Sequence, residues 1–454
     1  MSLDQAIEYA ENHKDEFLRQ IFALLRIPSI STLPEHEKDI TSAARWLVNR
    51  LEELGFENAE ILPTKRHPVV YAEMLRAGAE APTVLFYGHY DVQPADPLDE
   101  WDSAPFDPVV RGEDVFARGA SDMKGQVVAF LNAVEAMLAA GDLPINLKFM
   151  LEGEEEIGSP NLEAFVQEHR DRLACDFCLN GDSGILAPDQ PSITIALRGL
   201  SYFEIRLEGQ RSDLHSGMFG GVVDNPANVI AELIAGMRDE HGRVLIPGFY
   251  EDVRELSDQE RSLLPELDEE WWRKHAGASK LFGDPAYSVT ERARARPTFD
   301  VNGILSGFTG EGSKTVLPAR AMAKLSMRLV PDQKPEKIRA ALEAYLEQNV
   351  PETMTWELIE HASSPPSVIS HESAEVQAAS EALEAVWGKQ PLFDRIGGTV
   401  PVVGMIQEIL GADSLMLGFG LPSDNIHGPN EKQHLPNYFR GIETYIRFVH
   451  SVGK

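Results

Sequence analysis

Apolar residues recur at three- and four-residue spacing over 3–27 and again over 37–56, which predicts two amphipathic helices, the second closed by Gly55. Short β-type runs follow at 59–62, 69–74 and 83–88, the last apolar throughout, as a buried strand is. A loop rich in Asp and Pro spans 91–108, a helix spans 123–141 and ends at Gly141, and a strand at 145–151 runs straight into an acidic segment. Strands alternating with helices predict an α/β domain with a largely parallel central sheet flanked by helices.

Near Ser192 the pattern changes. Segments 192–199 and 201–209 alternate with period two, as half-exposed antiparallel strands do. A helix at 225–239, a long charged stretch containing Trp271 and Trp272, a strand at 321–331, a helix at 335–348 and a strand at 353–361 complete the segment. This β-α-β-β-α-β order predicts a smaller α+β, ferredoxin-like module inserted into the first domain. From about Glu372 the α/β pattern resumes, with helices ending at Trp387 and Leu410, a strand at 414–419 and a last helix from Pro436. The expected divisions are 1–196 and 367–454 for the two parts of the α/β domain and 197–366 for the insert. The chain shows no internal repeat and no low-complexity tract.

The 454 residues carry 41 Lys and Arg against 72 Asp and Glu, a formal net charge of −31 spread along the chain. That balance argues against nonspecific binding to nucleic acid or anionic membrane, whose phosphates want a basic face, and is compatible with binding cations. No apolar run reaches the ~18 residues of a membrane span, and no basic, apolar leader pattern opens the chain, so a cytoplasmic location is expected. The two cysteines, Cys175 and Cys178, lie in a strand-like segment. With no second pair to complete a structural zinc site, they read as ordinary thiols.

Five local patterns carry chemistry. In 88–94 (GHYDVQP), His89 and Asp91 stand at the end of a buried strand; one ring nitrogen of His89 suits a metal while a nearby carboxylate orients the ring. The same residues suit a surface turn. Asp122, after the glycine-containing turn 117–121, precedes a helix and taken alone reads as part of its N-cap. The segment 152–159 (EGEEEIGS) places Glu152, Glu154, Glu155 and Glu156 within five residues. A solvated acidic loop is the ordinary reading of such a run, but this one follows a buried strand, where crowded carboxylates call for a cation. Asp182 follows another short strand, and His427 lies in a loop rich in Gly, Pro and Asn. Two imidazoles and three carboxylate positions at strand-to-loop junctions, without thiolate, suit two cations: zinc, or alternatively manganese or cobalt.

At this point the chain resembles the di-zinc peptidases and deacylases that include carnosine dipeptidase, carboxypeptidase G and succinyl-diaminopimelate desuccinylase. The matching segments are 88–94, 117–125, 152–159, 180–184, 211–221, 311–331, 397–402 and 427–432, in the family's order over nearly the whole chain. The stretches around LHSGMFGG and SMRLVP are most similar to the carnosine-dipeptidase branch. The resemblance implies a zinc-exopeptidase-like catalytic domain with an inserted dimerisation or lid domain. It implies that His89, Asp122 and Asp182 hold one zinc, and that Asp122, Glu156 and His427 hold the second, with Asp122 shared. Asp91 would orient His89. Glu155 would be the general base acting on a hydroxide shared by the two ions, with Glu154–Glu155 the alternative register for the base and ligand pair. Arg328, Thr315, Thr399 and His361 would contact the substrate, and His215 would reach the partner's site across a homodimer. The expected activity is hydrolysis of dipeptides or short peptides with a free C-terminal carboxylate. An N-acyl-amino-acid deacylase or desuccinylase on the same scaffold is the alternative, and an inactive metal-binding scaffold is disfavoured because no ligand or base is missing.

Overall fold

The computed structural model describes residues 2–398 and 400–454. Compactness divides the chain into two units: residues 1–195, 369–394 and 405–454 in the first, and 196–368 with 395–404 in the second.

The first unit is built on a sheet with the spatial order Glu57–Leu62, Val69–Met74, Asn146–Glu152, Thr83–His89, Phe177–Asn180, Asp413–Met416 and Ser192–Leu197. The four strands from Asn146–Glu152 to Asp413–Met416 are mutually parallel. The flanking pairs are antiparallel. The sheet is therefore mixed rather than largely parallel. One cause is legible in chain length: residues 63–68 join the first two strands, too short a link for the crossover of a dozen or more residues that a parallel neighbour needs.

The expected helix over 3–27 is two, Leu3–Asn12 and Lys14–Leu25, separated at His13. The His13 ring nitrogen Nδ1 lies 2.7 Å from the Tyr9 carbonyl oxygen and so serves the open end of the first helix. The helix Lys124–Ala139 is buried along most of its length. It packs under the sheet beside Leu435–Val452, and its Phe130 ring stacks on Phe86 of a central strand at 4.1 Å. Its burial on nearly all sides explains why its apolar residues show little amphipathic segregation. Cys178 is buried in its strand and Cys175 lies just before it. Burial pushes the Cys175 thiol up to about 12, the opposite of a reactive thiolate.

The second unit carries an antiparallel sheet in the order Thr298–Ser306, Arg320–Leu329, Gly199–Glu208 and Thr355–Ser364. Helices Pro226–Gly236 and Pro335–Asn349 contribute to one apolar cluster with it. In Arg320–Leu329 the alternation is complete: Ala321, Ala323, Leu325, Met327 and Leu329 are buried, and the residues between them are not. The strand Thr298–Ser306 went unread in the sequence because Asp300, Asn302 and Gly303 break its alternation, and its register shifts between Val301 and Gly303. No helix among the described residues is long and apolar enough to cross a membrane.

Candidate metal centre

Strand ends of the first unit bring the chemistry together. His89 is the last residue of Thr83–His89 and is fully buried. Its Nδ1 lies 3.1 Å from the Asp91 carbonyl oxygen and 3.4 Å from Asp91 Oδ1. Its Nε2 faces Asp122 Oδ1 at 3.0 Å. The other oxygen of Asp122, Oδ2, faces His427 Nε2 at 2.9 Å. Asp122 thus stands between the two imidazoles. His427 Nε2 is also 3.2 Å from Glu156 Oε2. Asp182 follows the strand Phe177–Asn180, its N–H donating to Asn180 Oδ1 at 2.7 Å. Two groups result in which one ligand atom from each residue lies within 4.8 Å of those of the others: His89, Asp122 and Asp182, and Asp122, Glu156 and His427.

The four glutamates of the acidic run part company. Glu152, the last strand residue, accepts the Tyr87 hydroxyl at 2.6 Å and the Ser159 hydroxyl at 3.0 Å. Glu154 is buried and accepts the His67 N–H at 2.6 Å and the Asn161 amide at 2.8 Å, so its carboxylate is committed to the loop scaffold. Glu155 and Glu156 open a single helical turn, Glu155–Ile157, and their backbone N–H groups donate to the two Asp91 oxygens at 3.2 and 3.1 Å. Gln93 donates to Glu156 Oε2 at 2.8 Å.

Electrostatics follow from this crowding. Burial opposes ionisation of Asp122, yet its contacts with His427 and His89 hold the carboxyl well below its usual range. Asp182 is pushed up to about 7 by burial and by the nearby Asp122. Burial raises Glu155 well above a normal carboxyl; His89 opposes the shift, and Asp182, Glu156 and Asp122 add to it. The carboxyls of Asp122 and Glu156 push His427 up to about 10. Burial opposes protonation of His89, but Asp122 and Asp91 win and its pKa rises. Divalent cations bound among these carboxylates would neutralise their buried negative charge. Oxygen and imidazole donors without thiolate suit zinc, manganese or cobalt.

Sequence reading missed the support behind Asp122. Glu431 is fully buried; its Oε1 accepts the N–H groups of Ser121 and Asp122, both at 3.1 Å, and its Oε2 accepts Gly119 N–H at 2.9 Å and Arg118 Nη1 at 2.6 Å. Gln93 and Asn180 were missed too, though Gln93 and Glu431 sit in the same short motifs as His89 and His427.

The substrate-contact candidates belong to the second unit. His215 is exposed, and its Nδ1 accepts Gly217 N–H at 3.0 Å. Its short strand pairs with Val316–Leu317, so Thr315 is brought beside it, the Thr315 carbonyl accepting Ser216 N–H at 3.1 Å. Arg328 is half-buried on Arg320–Leu329, opposite Leu200 and Thr298. His361 Nε2 lies 3.0 Å from Glu204 Oε2. Thr399 lies outside the described residues.

The family model of peptidase family M20/M25/M40 matches residues 85–451. The Cys-Gly metallodipeptidase DUG1 of Candida albicans is 32% identical over 477 residues, covering 100% of this chain and 98% of its own. The Beta-Ala-His dipeptidase of Homo sapiens is 31% identical over 468 residues, covering 98% and 92%. Among solved structures, the M20 family metallo-carboxypeptidase Sso-CP2 from Sulfolobus solfataricus superposes with a TM-score of 0.85 at 37% identity, covering 96% of this chain and 99% of that one. Human carnosine dipeptidase 1 gives 0.77 at 30% identity, covering 100% and 99%.

Proposed function

The chain belongs to peptidase family M20/M25/M40, and from that membership we propose that this metallodipeptidase hydrolyses dipeptides, or short peptides with a free C-terminal carboxylate, at a two-cation centre. His89, Asp122 and Asp182 would hold one ion and Asp122, Glu156 and His427 the other, zinc being the metal expected. The observation that carries this reading is the placing of Asp122, whose two oxygens face the two imidazoles at 3.0 and 2.9 Å. Bound there, a pair of divalent cations would supply Lewis acidity, lowering the pKa of water so that it loses a proton at neutral pH and offsetting negative charge that develops on the substrate.

The remaining chemistry is assigned to side chains. The Glu155 carboxylate, with its affinity for protons raised by burial, accepts a proton from the attacking water and returns it to the departing amine nitrogen. Asp91 holds Glu155 and Glu156 by their backbone N–H groups while its carbonyl and carboxylate face His89. Arg328 holds the substrate carboxylate, the group common to dipeptide and carboxypeptidase substrates; a guanidinium fork suits it. Thr315, Thr399 and His361 add contacts. In a homodimer, His215 of one subunit would donate to the carbonyl oxygen in the other's site, the second unit serving as the dimerisation and lid domain.

The test is to strip the protein of metal, reload it with zinc, manganese or cobalt, and assay dipeptides, their C-terminal amides and N-acyl amino acids. Hydrolysis of dipeptides should return with metal, and the amides should be poor substrates. Turnover of N-acyl amino acids alone would overturn the dipeptidase reading, and equal cleavage of amides and free dipeptides would overturn the role of Arg328.

A further inference from the structure

The second unit holds a cavity of about 310 Å³ whose lining is unlike the rest of this acidic chain. Four arginines line it: Arg238, Arg243, Arg292 and Arg296. Arg296 is ion-paired with Glu255 at 2.6 Å. Among the described residues, the other three form no ion pair with any carboxylate, although the chain carries 72 Asp and Glu against 41 Lys and Arg. Arg292 spends Nη1 on the Phe282 carbonyl at 3.0 Å, and its buried Nε has no partner. Two carboxylates share the lining, and each is engaged locally: Asp284 by the N–H of Ala286 at 2.9 Å, Asp300 by the Thr298 hydroxyl at 3.3 Å.

Rings stand among these charges. Arg243 lies over Tyr250 at 4.8 Å, Arg296 over Tyr287 at 4.1 Å, and Arg238 over Phe282 at 5.9 Å. Stacking uses the face of a guanidinium and leaves its N–H edge available to an anion. Phe282 is 64% exposed, a large apolar ring left mostly open at the cavity wall. The backbone makes room for this arrangement. At Gly242, with φ +81°, a Cβ would stand 2.7 Å from the Phe282 ring. At Gly283, with φ +129°, a Cβ would stand 2.7 Å from Arg292 Cδ. The turn bearing Arg238 and Arg243 is itself fixed, since Asp239 Oδ1 accepts the N–H groups of His241 and Arg243, both at 2.9 Å.

We propose that this cavity is a binding site for a small aromatic anion, its ring against Phe282 and its phosphate or carboxylate on the N–H edges of Arg238, Arg243 and Arg292. A cavity of this size accepts a molecule between a benzoate and a nucleoside monophosphate, and neither half of such a ligand would be sufficient alone. The site lies outside the metal centre and uses none of the residues assigned to hydrolysis.

Calorimetry on the metal-loaded full chain tests the proposal with four probes: adenosine 5′-monophosphate, salicylate, adenosine and inorganic phosphate. One of the two aromatic anions should saturate a single site per chain. Adenosine and phosphate should each bind at least about tenfold more weakly, and the tighter anion identifies the head group preferred. Arg238→Glu and Arg243→Glu change exposed side chains, so folding and dipeptide hydrolysis should be preserved while affinity falls at least about tenfold. Phe282→Ala should weaken the aromatic anion and leave phosphate unchanged. If neither aromatic anion saturates, or if both arginine variants bind it as tightly as the parent, the proposal is wrong.

Discussion

The Asp91 side chain accepts the backbone N–H of Glu156 at 3.1 Å, so the residue beside His89 also fixes the acidic turn that carries Glu155 and Glu156. One carboxylate ties two halves of the site. Asp91→Asn keeps the shape but turns an amide N–H₂ toward one of two N–H donors. Supporting groups of this kind typically contribute ~10–100-fold to metal affinity or activity. Asp91→Asn should lose activity in that range and bind metal more weakly, as titration with zinc would show. Unchanged turnover and affinity would mean that the turn holds itself.

Glu154 and Glu155 should separate cleanly. Glu155→Gln should keep its metal, measured by elemental analysis, and lose ~10²–10⁴ in rate, the usual contribution of a general base. Glu154 accepts His67 and Asn161 donors in the loop scaffold. Glu154→Gln should therefore lose stability, ~1–3 kcal/mol for mismatched buried partners, visible in denaturant unfolding. Loss of metal in the Glu155 variant with loss of turnover in the Glu154 variant would shift the register by one residue.

Glu431 supports Asp122 without facing either imidazole. It pairs with Arg118, and both are essentially buried. Glu431→Ala removes the carboxylate partner of Arg118 Nη1 and of three backbone N–H groups, leaving the guanidinium only its bonds to the Pro94 and Gly428 carbonyls, and breaking a buried pair costs ~3–5 kcal/mol. The denaturation midpoint should fall accordingly. Glu431→Gln, nearly isosteric, should fold and bind metal more weakly than the parent; equal affinity would show that the Asp122 loop needs no such support.

Among the candidate metal donors, His89, Asp122, Glu156 and Asp182 drew notice because they stand at or next to the ends of strands or just before a helix, whereas His427 lies within a loop and stood out only through its motif. The strand 69–74 was legible to the residue, a mostly apolar, β-branched and aromatic run that begins just after Pro68. Other features depended on information that periodicity does not hold. At His13, where the helix breaks, the ring nitrogen takes the Tyr9 carbonyl oxygen, a local contact that leaves the apolar spacing intact. Apart from the short 63–68 link, the mixed sheet follows from which strands become neighbours, a non-local choice. Glu431 looked like one more charge in an acidic chain; only the fold turns its carboxylate onto the N–H groups of Ser121 and Asp122. The cavity of the second unit is built from segments between 238 and 300 that read simply as charged.

His215 tests the proposed homodimer. Preparations of His215→Ala and Glu155→Gln should each be inactive. If His215 serves the partner's site, a mixed dimer has one doubly damaged site and one intact site. Random exchange should then restore about a quarter of the parent activity, because half of the dimers are mixed. No recovery after exchange, verified by differently tagged subunits, would place His215 in its own subunit's site or outside catalysis.

Metal stoichiometry bears most directly on the shared role of Asp122. Stripped and reloaded with zinc, the parent should bind two ions per chain, His89→Ala and His427→Ala one each, and Asp122→Ala neither tightly. A parent that binds a single ion, or a His89 or His427 variant that retains two, would contradict the two-cation centre.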